Sequence, residues 1–544
     1  MAFLLASGLG RPVDEAAAVV HWYFAASGNR TASQLALGWR HAQGHSVPRS
    51  CAAAALYYVP AAAAALRPPL GSQQAPGSPA PLERVRLTQD YPATAAARTK
   101  ERDMVAYYRY SADQGNVDAA AAMGQLLTGG GRGVQRDYPA AAGYLATAAA
   151  RGDADASAAL GMLYANGQGV VQDPVRALRL LRTAAERGHA AGQLGLGLAT
   201  LAGFGVAPDT GAALTWLAAA AEQGSAEAHA ALGSVYAQGL RGAPADRVKA
   251  LLHLTTAAQA GHLTAALNLA LLHLGQLAQP PAHRGPLGAP PVTPPAPQPA
   301  QGACRAALAL LKSVAERGEA ARVVEAAHDA YQAGDQHAAL RLYLRGAHMG
   351  IELAQANAAF LLAQRQQGAA ALLWLRRSAD QGHAPSLVLL GDAHFYGRGT
   401  APDASKAAAS YSEAGAMHSA QALFNLGAMH QWGRGVRKDA HLAKRFYDMA
   451  SAAATEAQLP CTLALWGLLL QRGWEEGVQP WAGRLEKVHP ESALLALLCA
   501  ALATVLGALR VRRGRAEVEG GGRPAEVEVQ AEAEDEDAVP ALVH

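Results

Sequence analysis

The fold of this chain is decided by a stretch from Leu160 to Gly188 that reads LGMLYANGQGVVQDPVRALRLLRTAAERG. The glycine at its second position, Gly161, recurs at Gly124, Gly197, Gly233, Gly391 and Gly427. Within each run the copies lie 36 or 37 residues apart. A period of this size is typical of stacked helical hairpins, because one hairpin cannot bury its apolar face alone. The sequence therefore predicts an all-α solenoid whose function depends on a long binding surface.

Two further positions recur in register with that glycine and define the turn inside each unit. A Gly-Val pair, as at Gly169, is followed by an aspartate. The aspartates stand at Asp137, Asp173, Asp209, Asp403 and Asp439. Glycine accepts a backbone conformation that a Cβ atom disfavours, so it ends the first helix. Aspartate accepts hydrogen bonds from free N–H groups, so we expect it to cap the second helix.

Composition allows a long core and gives little support to nucleic-acid binding. Hydrophobic residues make up 51% of the 544 residues and charged residues only 16%. This is enough apolar surface for a continuous core over several hundred residues. The net charge of +3 is spread along the chain. A basic stripe with interleaved aromatic residues, the usual mark of a nucleic-acid surface, is absent from the sequence.

Proline-rich breaks divide the repeats into blocks. We expect N-terminal repeats over 1–66, a Pro/Gly-rich linker over 67–103, middle repeats over 104–318 and C-terminal repeats over 319–458. The middle block contains an insertion over 275–302 with nine prolines. Proline cannot continue a helix, so this insertion is predicted to be an extended loop. A proline-rich ligand for a partner's aromatic groove is the alternative interpretation.

An apolar segment over 459–474 follows the last repeat. It is too short to span a membrane and carries tryptophan, so it suits a helix lying at a membrane interface. The candidates for contact with a partner or the membrane surface are Leu465, Trp466 and Leu469. The alternative is that this segment only caps the apolar end of the solenoid.

A second apolar run over 492–509 contains no charged residue and predicts a transmembrane helix. As a helix it is about 27 Å long, close to the thickness of a thin bilayer. The basic residues that follow it at once are Arg510, Arg512, Arg513 and Arg515. By the positive-inside rule they place the C-terminus in the cytosol and the repeats in a lumen. The tail over 510–544 is predicted to be disordered and cytosolic. The alternative for 492–509 is a last buried helix of the solenoid.

A luminal solenoid needs a targeting signal, and the first ten residues, MAFLLASGLG, do not resemble one. They lack a positive first region and a cleavage site. We therefore expect the true N-terminus to be missing from this sequence. The alternative is a cytosolic protein with a tail anchor. That topology would place the arginine cluster in the lumen, against the positive-inside rule.

The repeat residues resemble the Sel-1-like repeat family, which is related to the tetratricopeptide repeats. Within this family, two stretches are similar to the sel-1 homolog group. Residues 422–460, ALFNLGAMHQWGRGVRKDAHLAKRFYDMASAAATEAQLP, are similar to the last repeat of that group. Residues 35–51, LALGWRHAQGHSVPRSC, are similar to an earlier part of it. The resemblance implies a right-handed superhelix without catalytic activity. It further implies a single-pass type I protein of the endoplasmic reticulum membrane. Such a protein is an adaptor of the HRD ubiquitin ligase in endoplasmic-reticulum-associated degradation, with a lectin and misfolded glycoproteins as partners.

Two other functions remain open at the level of sequence. One is a soluble Sel-1-like scaffold that regulates or assembles an enzyme complex, and the span over 492–509 discriminates it from the adaptor. The other is an enzyme with the repeats as an accessory domain, which requires a segment of mixed α/β pattern that the sequence does not contain.

Candidate chemical sites in the sequence are few. The motifs HExxH, GxxxxGK[ST], GxSxG and CxxC are all missing, and no metal or cofactor is predicted. Asn29 belongs to the single Asn-x-Thr glycosylation sequon of the sequence. The cysteines Cys51, Cys304 and Cys461 would be luminal. Their connectivity cannot be deduced from sequence, and we favour small buried hydrophobes over disulfides.

Overall fold

The computed structural model describes residues 1–8, 12–67, 86–87, 94–130, 134–240, 243–275 and 301–473. In these residues the regular structure is helical, apart from one isolated bridge between Leu240 and Ala243. The first helices are α1 Ala2–Ser7, α2 Glu15–Ser27, α3 Thr31–Gln43, α4 Cys51–Ala65, α5 Thr94–Asp113, α6 Val117–Gly129, α7 Tyr138–Ala150, α8 Ala154–Asn166, α9 Pro174–Glu186, α10 Ala190–Ala202, α11 Thr210–Glu222 and α12 Ala226–Gln238. They are followed by α13 Arg247–Gln259, α14 Leu263–His273, α15 Gln301–Ala315, α16 Glu319–Gln332, α17 Gln336–His348, α18 Glu352–Gln364, α19 Gly368–Ala379, α20 Ala384–Tyr396, α21 Ala404–Ala416, α22 Ala420–Trp432, α23 Ala440–Ala453 and α24 Gln458–Gly473, with a 3₁₀ turn at Thr455–Ala457.

The chain forms two compact units. Among the described residues, the first contains those within 1–386 and 398–401, and the second contains 387–397 and 402–473. In the first unit, α5 to α14 pack as consecutive hairpins, each helix on the one before it. In the second unit, α21 to α24 pack in the same consecutive way. The predicted helical repeat is therefore confirmed, while the handedness of its superhelix stays a prediction.

The turn between α8 and α9 has the predicted capping aspartate, but a different glycine ends the first helix. Gly167, and not Gly169 of the Gly-Val pair, ends α8, with a φ of 66° in the left-handed region. Gly169 lies two residues further on in the same turn and has a φ of 68°. Asp173 then caps α9, because its Oδ1 accepts from the N–H of Arg176 at 3.0 Å. The other four predicted aspartates, Asp137, Asp209, Asp403 and Asp439, cap α7, α11, α21 and α23. In these five hairpins the start of the second helix is thus fixed locally by a carboxylate. Other helices use other caps, such as Ser50 before α4.

The recurring glycine inside the first helix of each unit has a separate role, which is close approach of the second helix. A Cβ atom built on Gly124 in α6 would lie 2.5 Å from Cγ of Leu145 in α7. Leu145 is completely buried. Equivalent crowding against a leucine or tyrosine of the second helix occurs at Gly161, Gly197, Gly233, Gly391 and Gly427. The 36-residue period therefore records the point where the two helices of a hairpin touch.

Gly124→Ala should destabilise the protein although alanine is the better helix former. The added methyl group overpacks a buried leucine, which typically costs about 1–3 kcal/mol. The matched control is Gly143→Ala in α7 of the same hairpin, where nothing lies within 4 Å of the new Cβ. That control should gain up to about 1 kcal/mol. Urea midpoints of the two variants check this, and shifts of the same sign in both would contradict it.

The hairpin formed by α3 and α4, which we call the N-terminal hairpin, packs against helices that are distant in sequence. Helix α4 lies along α15, and α3 contacts α15 and α16. The shared core contains Trp39 and Tyr58 from the hairpin, both 1% exposed, with Leu311 from α15 and Tyr343 from α17. In a simple solenoid each repeat contacts only its sequence neighbours. The first unit departs from that rule, because the N-terminal hairpin shares its core with α15 to α17, which come more than 200 residues later.

A disulfide joins Cys51 at the start of α4 to Cys304 in α15, with a Cα–Cα distance of 6.4 Å. Our expectation that these cysteines are only small buried hydrophobes is wrong for this pair. The reason is that α4 and α15 pack side by side, a contact that the sequence gives no means of predicting. Cys461 is buried with a free thiol, as expected.

Some boundaries predicted from sequence differ from the observed helices, and others lie where no comparison can be made. Helix α5 begins at Thr94, inside the linker predicted over 67–103, because TAAARTKERD contains no proline or glycine and is rich in helix formers. Helix α15 begins at Gln301, inside the insertion predicted over 275–302. The rest of that insertion over 276–300, the predicted span over 492–509 and the tail over 510–544 lie outside the described residues. In the part of the chain that is described, none of the helices has both the length and the apolar character needed to cross a bilayer.

Candidate interaction surfaces

Helix α24 has one buried side and one exposed apolar side. Cys461 and Leu468 are buried against α23, and Leu465 packs partly against the same cluster. The exposed apolar side chains are Leu459, Leu463, Trp466, Leu469 and Leu470, between 52% and 71% accessible. We call these five residues the α24 stripe. Large apolar side chains grouped in this way form a candidate contact surface.

The α24 stripe includes two of the three contact residues predicted from sequence. Trp466 and Leu469 lie on it, whereas Leu465 faces the helices behind. Sequence reasoning did not select Leu463 and Leu470. The signal was available, because Leu459, Leu463, Trp466 and Leu470 follow the spacing of one helical face.

Asn29 lies in the short turn between α2 and α3. It is exposed and has a φ of 57°. Its sequon threonine, Thr31, is the first residue of α3. The side chain is therefore accessible to an enzyme approaching from solvent. The arginines predicted to set topology, Arg510, Arg512, Arg513 and Arg515, lie outside the described residues.

A buried charge cluster joins α2, α3 and α19. Nη2 of Arg40 donates to Oε2 of Glu15 at 2.9 Å, and Nη2 of Arg377 lies 3.6 Å from the other oxygen of Glu15. The arginine side chains are 0% and 9% exposed and that of Glu15 is 30% exposed. Burial lowers the pKa of Arg40 to about 10, while Glu15 opposes this shift and Arg377 adds to it. One carboxylate thus serves as counterion to two buried guanidinium groups.

Aromatic rings enclose this cluster. Cζ of Arg40 lies 4.1 Å from the ring centroid of Trp22, and Cζ of Arg377 lies 4.7 Å from that of Trp374. His348 packs against both tryptophans, at centroid distances of 5.8 and 4.8 Å. Burial, with the two arginine charges, holds the pKa of His348 well below its usual value, so the ring is neutral at pH 7. The cluster is a packed joint between the N-terminal helices and α17 and α19.

Helix α18 carries three covered polar side chains. Glu352 is 21% exposed, Gln355 0% and Asn357 1%. Nε2 of Gln355 donates to the carbonyl oxygen of Ala347 at 3.1 Å, and its Oε1 accepts from Nε2 of Gln381 at 2.6 Å. Polar side chains buried to this extent are normally fixed by such bonds. This part of the first unit is therefore a pre-arranged set of acceptors and donors.

Two residues of the linker lie against these side chains. The guanidinium of Arg86 donates to both carboxylate oxygens of Glu352, at 3.1 and 2.7 Å. The backbone N–H of Leu87 donates to Oδ1 of Asn357 at 3.1 Å. The Leu87 side chain packs on the core shared by the N-terminal hairpin and α15 to α19. Arg86, Leu87, Glu352 and Asn357 were not selected from sequence. Glu352 and Asn357 are single polar residues in an Ala/Leu-rich helix, and such residues look like ordinary surface positions.

Glu352 is held in place from behind by α19 and the turn after it. Oγ of Ser378 donates to Oε1 of Glu352 at 2.7 Å, and Nδ1 of His383 lies 3.4 Å from the same oxygen. Burial by itself would raise the pKa of Glu352. The hydrogen bonds from Arg86 and Ser378 and the charges of His383 and Arg86 more than offset this, so the pKa is lowered. The carboxylate is therefore ionised and oriented at neutral pH.

No three His, Cys, Asp or Glu side chains of the described ranges are grouped so that they could hold a metal ion. A cleft of about 510 Å³ opens beside the charge cluster and is lined mainly by apolar groups, including Phe3, Trp22 and Met349.

Stacked hairpins with exposed apolar and polar surfaces define the class of helical-repeat scaffold proteins. The Sel1 repeat model matches residues 31–66, 117–153, 154–189, 190–225, 226–262, 356–383, 384–417 and 420–454. These matches cover more than half of the chain, and the chain belongs to the Sel1 repeat family. The family predicted from the repeat residues is thereby confirmed.

Relatives with descriptive names match a smaller part of the chain. The ERAD-associated E3 ubiquitin-protein ligase component HRD3A of Arabidopsis thaliana is 34% identical over 181 residues, which are 30% of this chain and 26% of that protein. Protein sel-1 homolog 2 of Mus musculus is 37% identical over 175 residues, 30% of this chain and 25% of that protein. The matched stretches thus span about a quarter of these relatives.

A solved structure of a protective antigen from uropathogenic Escherichia coli, described as displaying an SLR fold, is also similar. It is 19% identical and covers 94% of this chain and 99% of its own, but the TM-score is 0.30. A superposition of this quality supports no inference about the present chain.

Proposed function

We propose that this chain is a non-catalytic adaptor of an HRD-type membrane E3 ubiquitin ligase in endoplasmic-reticulum-associated degradation. The observation that carries the proposal is its similarity to HRD3A, whose name describes a component of such a ligase. In this role the repeats recruit misfolded glycoproteins, with an endoplasmic-reticulum lectin as a further partner, and hold the ligase in a stable complex.

The proposed topology is single-pass type I, with luminal repeats. The apolar run over 492–509 would cross the membrane, and the arginines from Arg510 to Arg515 would keep the tail in the cytosol. The disulfide between Cys51 and Cys304 supports the luminal placement, because disulfides persist in oxidising compartments. Asn29 would carry the glycan in that compartment.

The α24 stripe is the proposed contact with the ligase or with the membrane surface beside it. Tryptophan and leucine grouped on one helix face suit both an apolar protein groove and the headgroup region of a bilayer. Each large side chain that becomes buried contributes roughly 1.5–3 kcal/mol. Burial of the stripe would therefore contribute several kcal/mol to such a contact, from which the cost of association is subtracted.

Replacing Leu463, Trp466 and Leu470 together by aspartate should lower the association with the ligase by at least about tenfold, since three apolar contacts would become charged. The thermal midpoint should change little, because exposed substitutions typically stay within about 0.5 kcal/mol each. The measurement is co-isolation of the tagged chain, produced in the endoplasmic reticulum, with the ligase.

The matched control places three aspartates at equally exposed apolar positions elsewhere, Val175, Val248 and Leu252. Its ligase association should equal that of the unaltered chain. Equal loss in both variants would point to a general effect of charge. A large fall in the thermal midpoint of the stripe variant would assign α24 the role of a cap.

A further inference from the structure

The contact between the linker and α18 has the form of peptide recognition. Asn357 accepts from a main-chain N–H of Leu87, a bond that a peptide segment offers irrespective of its side chains. Glu352 accepts both N–H groups of the Arg86 fork, a bond that selects arginine. A backbone contact for affinity and a side-chain contact for specificity are the two parts of a peptide site.

The receiving side chains also have contacts within the repeat helices. Ser378 donates to Glu352 and His383 lies beside it, while Asn357 stands in the middle of α18. Arg86 and Leu87 add the bonds described above and two partly buried side chains. The receiving surface therefore belongs to the repeat helices, while the occupant is a short piece of linker.

We propose that Glu352 and Asn357 form a binding site for peptide segments of partner proteins that present an arginine followed by an apolar residue, and that the linker residues Arg86 and Leu87 occupy this site in the free chain. The inference rests on the fold and these contacts and does not depend on the ligase role. A partner segment exchanges with the linker by forming the same bonds.

Competition by the linker has a measurable consequence. A segment tethered in the same chain acts at an effective concentration in the millimolar range. A free peptide of the same sequence must therefore bind weakly to the unaltered chain. It must bind more tightly once the linker residues that occupy the site are removed.

The test uses the full chain and a fluorescent peptide with the sequence LERVRLTQD of residues 82–90. The chain carrying Arg86→Ala and Leu87→Gly should bind this peptide at least about tenfold more tightly than the unaltered chain. Adding Glu352→Gln should weaken that binding by at least about tenfold, since the ion pair is lost. The matched control is Glu319→Gln, which removes an exposed carboxylate near Arg345 and should leave peptide binding unchanged.

Changes in the peptide itself give results that no folding defect can imitate. Arg86→Ala in the peptide should abolish binding, and Arg86→Lys should weaken it because lysine cannot form the two parallel bonds. If the Arg86→Ala, Leu87→Gly chain does not fold, the same peptide series at millimolar concentration on the unaltered chain decides the question. The proposal is overturned if the peptide does not bind in either format, or if binding is indifferent to its arginine.

Discussion

Glu15→Gln is expected to destabilise the protein by about 3 kcal/mol, because it removes the ion-pair partner of two buried guanidinium groups. Removing one partner of a buried ion pair typically costs about 3–5 kcal/mol, and the lower value applies because the Glu15 side chain is 30% exposed. Arg40 is 0% exposed and cannot turn to water. The rings of Trp22 and Trp39 still lie against its guanidinium, but they do not replace a charge.

Tryptophan fluorescence during urea denaturation measures this effect, since Trp22, Trp39 and Trp374 surround the cluster. Glu319→Gln is again the matched control, because its partner Arg345 lies 3.6 Å away and both side chains are more than 40% exposed. An exposed pair of this kind contributes only about 0–1 kcal/mol. Equal midpoints for the two variants would contradict the role given to Glu15.

A double variant separates the effect of the Arg40 charge from the effect of its packing. Arg40→Met in the Glu15→Gln background removes one uncompensated cation and fills its space with apolar atoms. Replacing a buried charge by a hydrophobic residue of similar volume is often neutral or stabilising. The double variant should therefore recover part of the stability that Glu15→Gln loses. A further loss of the same size would show that Arg40 acts through its shape alone.

Loss of the disulfide should have an effect of similar size. Changing Cys51 and Cys304 to alanine removes a cross-link between residues 253 positions apart. Closing a loop of this length costs the unfolded chain about 5 kcal/mol of entropy in the chain-entropy model, and measured effects are typically about 2–5 kcal/mol. We expect the double variant to melt as the reduced protein does, at a lower temperature than the oxidised protein.

Thermal melts with and without a thiol reductant check this prediction. The unaltered chain should lose stability on reduction, whereas the double variant should not respond. Cys461→Ala is the control, because this thiol is free and the variant should keep the full response to reductant. Mass spectrometry of an unreduced digest that finds both Cys51 and Cys304 as free thiols would refute the cross-link directly.

The repeat hairpins could be predicted because their signals are local. Gly167 and Asp173 set the end of one helix and the start of the next within a few residues. The role of Gly124 was harder to assign, since its reason is a contact with Leu145 in the second helix of the hairpin. The period revealed that the position mattered before its physical cause was known.

The packing of the N-terminal hairpin could not be predicted from sequence. Its faces are rich in alanine, as in the stretch AAAALYYVPAAAAA of α4, and alanine faces fit many neighbours equally well. Charged residues such as Glu15 and Arg377 are read as solvent-exposed when taken singly. Their pairing depends on where the hairpin docks, and so do the disulfide and the linker contact at Glu352.

The contact between α4 and α15 can form only late in synthesis of the chain. Cys51 leaves the ribosome 253 residues before its partner Cys304. At roughly 5–20 residues per second, this interval lasts about 10–50 seconds. During that time the face of α4 that later meets α15 has no partner from its own chain. We expect the nascent hairpin to need a chaperone's protection until Leu311 and its neighbours are translated.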